Sequence, residues 1–327
     1  MQVIAVQDPQ IRKFSFDWPR GVNLDHKVIL SFGGAGNLAE TFHYAAAACG
    51  AVPLLSDVLP SDPVRQAEAG AKAERIVRNV RGINPAVPAE WYVGDVTSPA
   101  DVAKTLEHVK ERFGRIDVVV NFAGVSHQPF DLYKDNPDDM VATFRKVNDI
   151  NLNGAFIVTL NAARQMIPQR RGHIIHLCSS GSRCSLYGVY AYNATKHAVE
   201  GLIKTAAAQL APFGVRVNGV APGTVETDLN SALLKGPDGR FKPRAKSILA
   251  HTPTKRFASP EGVAETLTAL CVDQRHLTGN VLFADDGYVI EGHSWPEGNE
   301  ALYTGSSALE ALFERLKEDY PPERSEA

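Results

Sequence analysis

The sequence predicts an α/β protein with a doubly wound parallel sheet, folded as one domain. Two observations carry that reading. Short runs rich in Val and Ile alternate with longer amphipathic stretches along most of the chain, which is the order that βαβ units produce. The short runs are apolar throughout rather than every second residue, as strands buried on both faces must be. No internal repeat or low-complexity tract interrupts the alternation.

The elements follow in order. Val28–Phe32 is the first strand; a glycine-rich turn leads from it into a helix over Leu38–Ala48 that stops at Gly50. Ala51–Leu55 begins a second strand that finishes in Asp57, followed by a helix over Pro63–Val80. Trp91–Val93 and Pro99–Phe113 form the third strand and helix, and Val118–Phe122 leads into a long helical stretch, Pro137–Ile167. Ile174–Cys178 precedes a helix over Tyr190–Leu210, Val215–Ala221 precedes Pro260–Val272, and Val281–Ala284 closes the sheet. Residues 1–26 read as an arm, 27–290 as the domain and 291–327 as a C-terminal extension. In the extension, Ser307 and Glu310 form a candidate capping box. Leu309, Leu312, Phe313 and Leu316 follow at helical spacing, and the closing "PPERSEA" reads as a disordered end.

Composition narrows the function classes. The 327 residues are 44% hydrophobic and 22% charged, with a formal net charge of -3. That balance is ordinary for a globular protein and gives no electrostatic footprint for nucleic acid or an anionic membrane. No apolar stretch approaches the roughly 18 residues of a membrane span, and the opening residues lack the pattern of a secretory signal. Cys49, Cys178, Cys184 and Cys271 match neither a zinc site nor a Cys-x-x-Cys pair. Free thiols in a reducing cytoplasm and no metal site are expected.

Two constellations carry chemistry. In "SFGGAGNLAETF", Gly33 ends a strand and a helix begins a few residues on, so Gly33, Gly36, Asn37 and Leu38 present backbone amides at a helix N-terminus. Amides and dipole together favour a pyrophosphate there. Asp57 lies 24 positions after Gly33, near the spacing at which a carboxylate meets an adenosine ribose. It would accept hydrogen bonds from ribose hydroxyls and repel a 2′-phosphate. With no Lys or Arg in the loop or directly after Asp57, NAD is expected in preference to NADP. The second constellation is "YNATK". Tyr192 and Lys196 stand four apart on one helix face, where an ammonium stabilises phenolate and turns a phenol of ordinary pKa about 10 into an acid or base near neutrality. Ser179, thirteen residues before Tyr192, ends a strand at the carboxyl edge of the sheet, where open α/β sheets bind ligands.

Together these motifs resemble the short-chain dehydrogenase/reductase family, in its single-domain branch with a Rossmann fold. The resemblance runs from about Lys27 to Gly287. It implies that "NFAG" (Asn121, Ala123 and Gly124) closes a strand beside the cofactor, that Asp95 and Val96 of "GDV" meet adenine, and that Asn151 of "NDINLNGAF" anchors a water in a proton relay. It also implies that Pro222, Gly223, Val225 and Thr227 of "RVNGVAPGTVET" hold the nicotinamide. Ser179, Tyr192, Lys196 and Asn151 would then be the catalytic set, with Tyr192 and Lys196 also touching the cofactor.

The chain departs from the family's glycine loop. Phe32 replaces a threonine, while Asn37 and Ala39 replace the second and third glycines. Asn37 is expected to substitute through its tolerance of positive φ. Ala39 is an accepted variant. Asp286 stands where the last strand normally continues into a glycine.

The function implied is hydride transfer between NAD(H) and a small-molecule secondary alcohol or ketone, by a homotetramer or homodimer that pairs its long helices. The alternatives are an epimerase or dehydratase that retains its cofactor, and a non-catalytic dinucleotide sensor. Three segments are expected to line the substrate pocket: the loop with His127, Phe130 and Tyr133; the segment with Arg183, Tyr187 and Tyr190; and a lid over residues 229–253 containing Gly236, Gly239 and Arg240.

Overall fold

The computed structural model describes residues 22–186, 188–227, 234–273 and 276–290. Most of the arm, Tyr187, the start of the expected lid and the C-terminal extension with its Ser307–Glu310 box lie outside them.

Within these residues the chain runs β1 (Val28–Phe32), α1 (Asn37–Ala48), β2 (Val52–Asp57), α2 (Pro63–Ile83), β3 (Glu90–Val93), α3 (Pro99–Phe113), β4 (Val118–Asn121) and α4 (Pro137–Asn148). A π-helical turn at Asp149–Asn153 leads into α5 (Gly154–Met166) and β5 (Gly172–Leu177). The chain continues through α6 (Tyr190–Leu210), β6 (Val215–Pro222), α7 (Pro243–His251), α8 (Pro260–Leu270) and β7 (Val281–Ala284). All neighbouring strands pair in parallel, in the order β3-β2-β1-β4-β5-β6-β7. This is the predicted doubly wound sheet.

Residues alternate between the two faces. Leu30 and Phe32 of β1 join Val102, Leu106, Val158 and Ile203 under α3, α5 and α6. Ile29 joins Phe42, Ala46, Val263 and Leu267 under α1 and α8. Each such aliphatic or aromatic side chain contributes about 1.5–3 kcal/mol on full burial, so the sheet is fixed by its own two-sided apolarity.

Helix starts are set locally. Asp62, Ser98, Asn136 and Ser259 each precede a proline, and each side chain accepts from a backbone amide of the first turn of α2, α3, α4 or α8. Proline at the first helical position loses no hydrogen bond there. By contrast α1 begins behind Gly36, which has no side chain to cap it.

Two elements differ from the sequence expectation. The stretch read as one helix over Pro137–Ile167 contains the π-helical turn, with Asn151 at its centre. One extra residue in a helical turn is invisible to a pattern read at constant period, and such turns concentrate at functional sites. The expected lid contains a regular helix, α7, preceded by a turn at Gly239 (φ 77°) under a Lys235–Phe241 bridge.

Candidate active site

The strand order reverses between β1 and β4, and the crevice of a doubly wound sheet opens at that point. The loop at the end of β1 is fixed by its backbone. Gly33 has φ 67°, and a Cβ on it would lie 2.6 Å from the Ala123 nitrogen. No other residue type fits that approach. The Gly34 amide donates to the Ser56 carbonyl (2.9 Å), the Ala35 amide to Asp57 Oδ2 (2.8 Å), and the Gly36 amide back to the Gly33 carbonyl (3.2 Å). Asn37 is the first residue of α1 and lies outside the positive-φ positions. The expected reason for asparagine here is therefore corrected: the left-handed demand falls on Gly33 alone. The Asn37 side chain instead accepts from Lys72 Nζ on α2 (3.1 Å).

The amides of Asn37, Leu38 and Ala39 belong to the first turn, where an α-helix offers no acceptor. All three residues line a cavity of about 510 Å³. Ser179, Tyr192 and Lys196 line the same cavity, as do Gly124, Pro222, Gly223, Val225 and Thr227. An adjoining space of about 990 Å³ shares Gly33, Gly36 and Gly124 with it and reaches Asp57, Asp95, Val96 and Ala123. Of the predicted site residues only Asn121 and Asn151 are set back from both spaces, each buried. Asn121 Oδ1 accepts from the Ala123 amide at 3.2 Å and shapes the turn after β4.

Ser179 begins a short 3₁₀ turn. Its Oγ accepts from the Gly181 amide (3.1 Å), which leaves the hydroxyl proton to be donated elsewhere. Lys196 is buried, and its ammonium donates to the Leu177 carbonyl at 2.7 Å while lying 5.6 Å from the centroid of the Tyr192 ring. A Cβ added to Gly124 would sit 3.5 Å from both Lys196 Nζ and Asn151 Oδ1, an ordinary contact distance, so the turn after β4 lies directly beside both side chains.

Asn151 is held by its side chain on two elements. Its Oδ1 accepts from the Val125 amide (2.8 Å), and its Nδ2 donates to the Val125 carbonyl (3.0 Å) and to Thr195 Oγ1 (3.2 Å). Thr195 Oγ1 in turn donates to the Tyr192 carbonyl (2.9 Å). Both amide hydrogens are committed, so the side chain clamps the loop after β4 to α6.

Burial sets the charge states around the site. Asp57 is pushed above the ordinary carboxylate range by burial, against hydrogen bonds from the Ala35 and Val58 amides and the charge of Lys72. Cys178, on the cavity wall, is pushed up to about 12 by burial, which Lys196 offsets only in part, and remains a thiol. His176 under Lys196 is held down at about 4 by burial first and that positive charge second.

Sequence reasoning missed Val125, Thr195 and Lys72. Thr195 sits inside the "YNATK" already singled out. Lys72 is 35 residues from its partner, beyond any spacing rule. Within the expected substrate segments, His127 stacks on Phe130 at 4.4 Å, and the Phe130 amide donates to the Gly188 carbonyl, joining the first two segments. Arg183 is engaged by Glu200 and lies over Phe283. Among the described residues no group of three acidic, cysteine or histidine side chains could hold a metal, and no helix is long and apolar enough to cross a membrane.

Comparison with known proteins agrees with this geometry. The family model described as enoyl-(acyl carrier protein) reductase matches residues 67–289. Zerumbone synthase of Zingiber zerumbet is 32% identical over 280 residues, covering 84% of this chain and 98% of that protein. The crystal structure of a gluconate 5-dehydrogenase from Burkholderia cenocepacia in complex with NADP and tartrate superposes with a TM-score of 0.71 at 28% identity, over 83% of this chain and 98% of that one. That of NAD+-bound xylitol dehydrogenase gives 0.68 at 28%, over 80% and 98%. A parallel sheet with this strand order, a serine, tyrosine and lysine on one cavity with a glycine loop, and relatives matched over nearly their whole length place the chain in the short-chain dehydrogenase/reductase family.

Proposed function

We propose that the protein transfers a hydride between NAD(H) and a secondary alcohol or ketone, with Tyr192 as the general acid/base. The observation that carries this reading is the shared cavity: Ser179, Tyr192 and Lys196 face the same space as the uncapped amides of α1. The residues present fit a dinucleotide. The first-turn amides and the backbone-only loop suit a diphosphate, and Asp57, Asp95 and Val96 suit its adenosine end.

When bound, the nicotinamide supplies or accepts the hydride. The Tyr192 hydroxyl exchanges a proton with the substrate oxygen, and Ser179 donates its free hydroxyl hydrogen to that oxygen. Lys196, with one N–H on Leu177 and two remaining, places a positive charge beside the phenol ring and would hold the ribose of a bound cofactor. Asn151 acts as a positioning residue: it holds the Val125 loop and the first turn of α6 in register. Proximity and orientation then do most of the catalytic work.

The preference for NAD over NADP rests on the Asp57 carboxylate, which suits a ribose bearing both hydroxyls. Exposed Phe144, Phe156 and Leu160 on α4 and α5 support pairing with a second copy. The four unpaired cysteines support a reducing, cytoplasmic setting.

The test is Tyr192→Phe assayed with NADH and NADPH against a panel of secondary alcohols and ketones. Turnover on any substrate the wild type accepts is expected to fall at least about hundredfold, while nucleotide binding followed by fluorescence stays near wild type. Retained turnover would refute the role of Tyr192, and a wild type that binds neither nucleotide would refute the whole reading.

A further inference from the structure

The helices α1 and α2 are joined by a ladder of polar pairs, each spanning 35 residues. Lys72 meets Asn37, Arg75 grips Glu40 through two hydrogen bonds (2.8 and 2.9 Å), and Asn79 donates to the Tyr44 hydroxyl (3.0 Å). The lower rungs are matched: Arg75 has its carboxylate, and Tyr44 donates to that same Glu40 at 2.7 Å. The top rung is not. The ammonium of Lys72 meets a neutral amide oxygen; its charge acts on Asp57 across a cleft, but no carboxylate among the described residues lies within ion-pair distance of it. It also stands at the N-terminal end of α1, where the helix dipole is positive and a cation is disfavoured. Lys72 lines the cavity that holds Tyr192 and Lys196, and a smaller cleft beside Asp57, Gly36 and Trp91. A half-buried cation with two spare donors, at a positive helix end and on a cavity wall, is arranged for an anion from outside the protein.

We infer that Lys72, steered by Asn37, is a phosphate-binding residue of the cofactor site, reached from α2 rather than from the glycine loop. The inference rests on the proposed dinucleotide site. It gives Asn37 a purpose: at a position where the family has glycine, the side chain carries the lysine to the mouth of the loop. The ligand chemistry is a phosphate of the dinucleotide, either the diphosphate common to NAD(H) and NADP(H) or the 2′-phosphate of NADP(H). The position of Lys72, between α1 and Asp57, serves both.

The experiment titrates NADH and NADPH into wild-type protein, Lys72→Met, Lys72→Arg and Arg75→Met, following nucleotide fluorescence, with thermal denaturation as the check on folding. Lys72→Met is expected to raise Kd about three- to tenfold, and Lys72→Arg to restore most of the affinity. Equal losses for both nucleotides assign the contact to the diphosphate, and loss for NADPH alone assigns it to the 2′-phosphate. Unchanged affinity for both in Lys72→Met would overturn the inference. So would an equal loss in Arg75→Met, which cuts the next rung and leaves the lysine in place, because the effect would then be helix packing. A wild type that binds neither nucleotide removes the cofactor reading as well, an outcome distinct from a silent lysine.

Discussion

Lowering the pH from 7.5 to 5 should destabilise this protein, and replacing His43 by Leu should remove a definite part of that loss. His43 sits on α1 in the core, with both ring nitrogens buried and without a hydrogen-bond partner. Burial holds its pKa down at about 3 against an ordinary 6.5, and the nearby Gly34 main chain offsets this only in part. A histidine whose folded pKa lies below its unfolded value takes up its proton first in the unfolded chain. Its contribution is therefore neutral above about pH 6.5 and increasingly destabilising below it, until the folded ring also protonates near pH 3. Between the two pH values His43 alone should cost about 2 kcal/mol. His176, held at about 4, should cost a similar amount, and His173 is lowered as well. For a domain of this size, 2 kcal/mol corresponds to about 4–8 °C in Tm. Thermal denaturation of wild type and His43→Leu at both pH values isolates the term, because every other titrating group, Asp57 included, is common to both proteins. The variant should lose about 4–8 °C less than wild type on acidification. Parallel losses in the two proteins would refute the argument that His43 is buried and neutral.

Other consequences follow from the site. Gly33→Ala places a methyl 2.6 Å from the Ala123 nitrogen at φ 67°; it should lower stability by more than about 2 kcal/mol and abolish nucleotide binding, measured by Tm and fluorescence titration. Asn151→Ala leaves the Val125 amide and carbonyl without their partner and removes one of the two bonds of Thr195 Oγ1, which should cost about 2–4 kcal/mol and lower kcat, while adenosine-end binding measured with ADP-ribose stays intact. Phe156→Asp on the exposed face of α5 should shift a sedimenting oligomer to smaller species if α4 and α5 pair between copies.

The chain's own pattern made most of the fold legible. Val28–Phe32 and Val281–Ala284 were bounded correctly because an apolar run ended by glycine or aspartate has little freedom in where it stops. The starts of the helices at Pro63, Pro99, Pro137 and Pro260 were equally plain, whereas the Pro243 helix was hidden in the expected lid. The turn at Asp149–Asn153 was not, because a single inserted residue leaves the apolar pattern on either side unchanged. At the candidate site, Gly33, Ser179, Tyr192 and Lys196, which short spacing and motif single out in the sequence, line one cavity. Lys72, which the fold brings to Asn37 and to that cavity from 35 residues away, is not legible by spacing. The side-chain contacts of Asn37 and Asn151 could not be read from identity, because both depend on where the amide points: one toward Lys72, the other toward Val125 and Thr195.

The loss of the usual threonine at Phe32 now has a physical account. Phe32 is fully buried, and its ring belongs to the core under α3, α5 and α6 while its carbonyl accepts from the Phe122 amide. A side chain at this position points into apolar packing rather than into the loop, so a hydroxyl is not needed to hold the turn. That work falls to main-chain donors of the loop itself: Gly34 to Ser56 and Ala35 to the Asp57 carboxylate. Asp57 therefore serves two purposes. One of its oxygens accepts the loop amide, and its position at the end of β2 faces the space proposed for the adenosine ribose. Replacing it by Ala would loosen the loop as well as change cofactor preference. A swap of nucleotide specificity built on Asp57 alone would therefore weaken binding of both cofactors, because the Ala35 amide loses its acceptor.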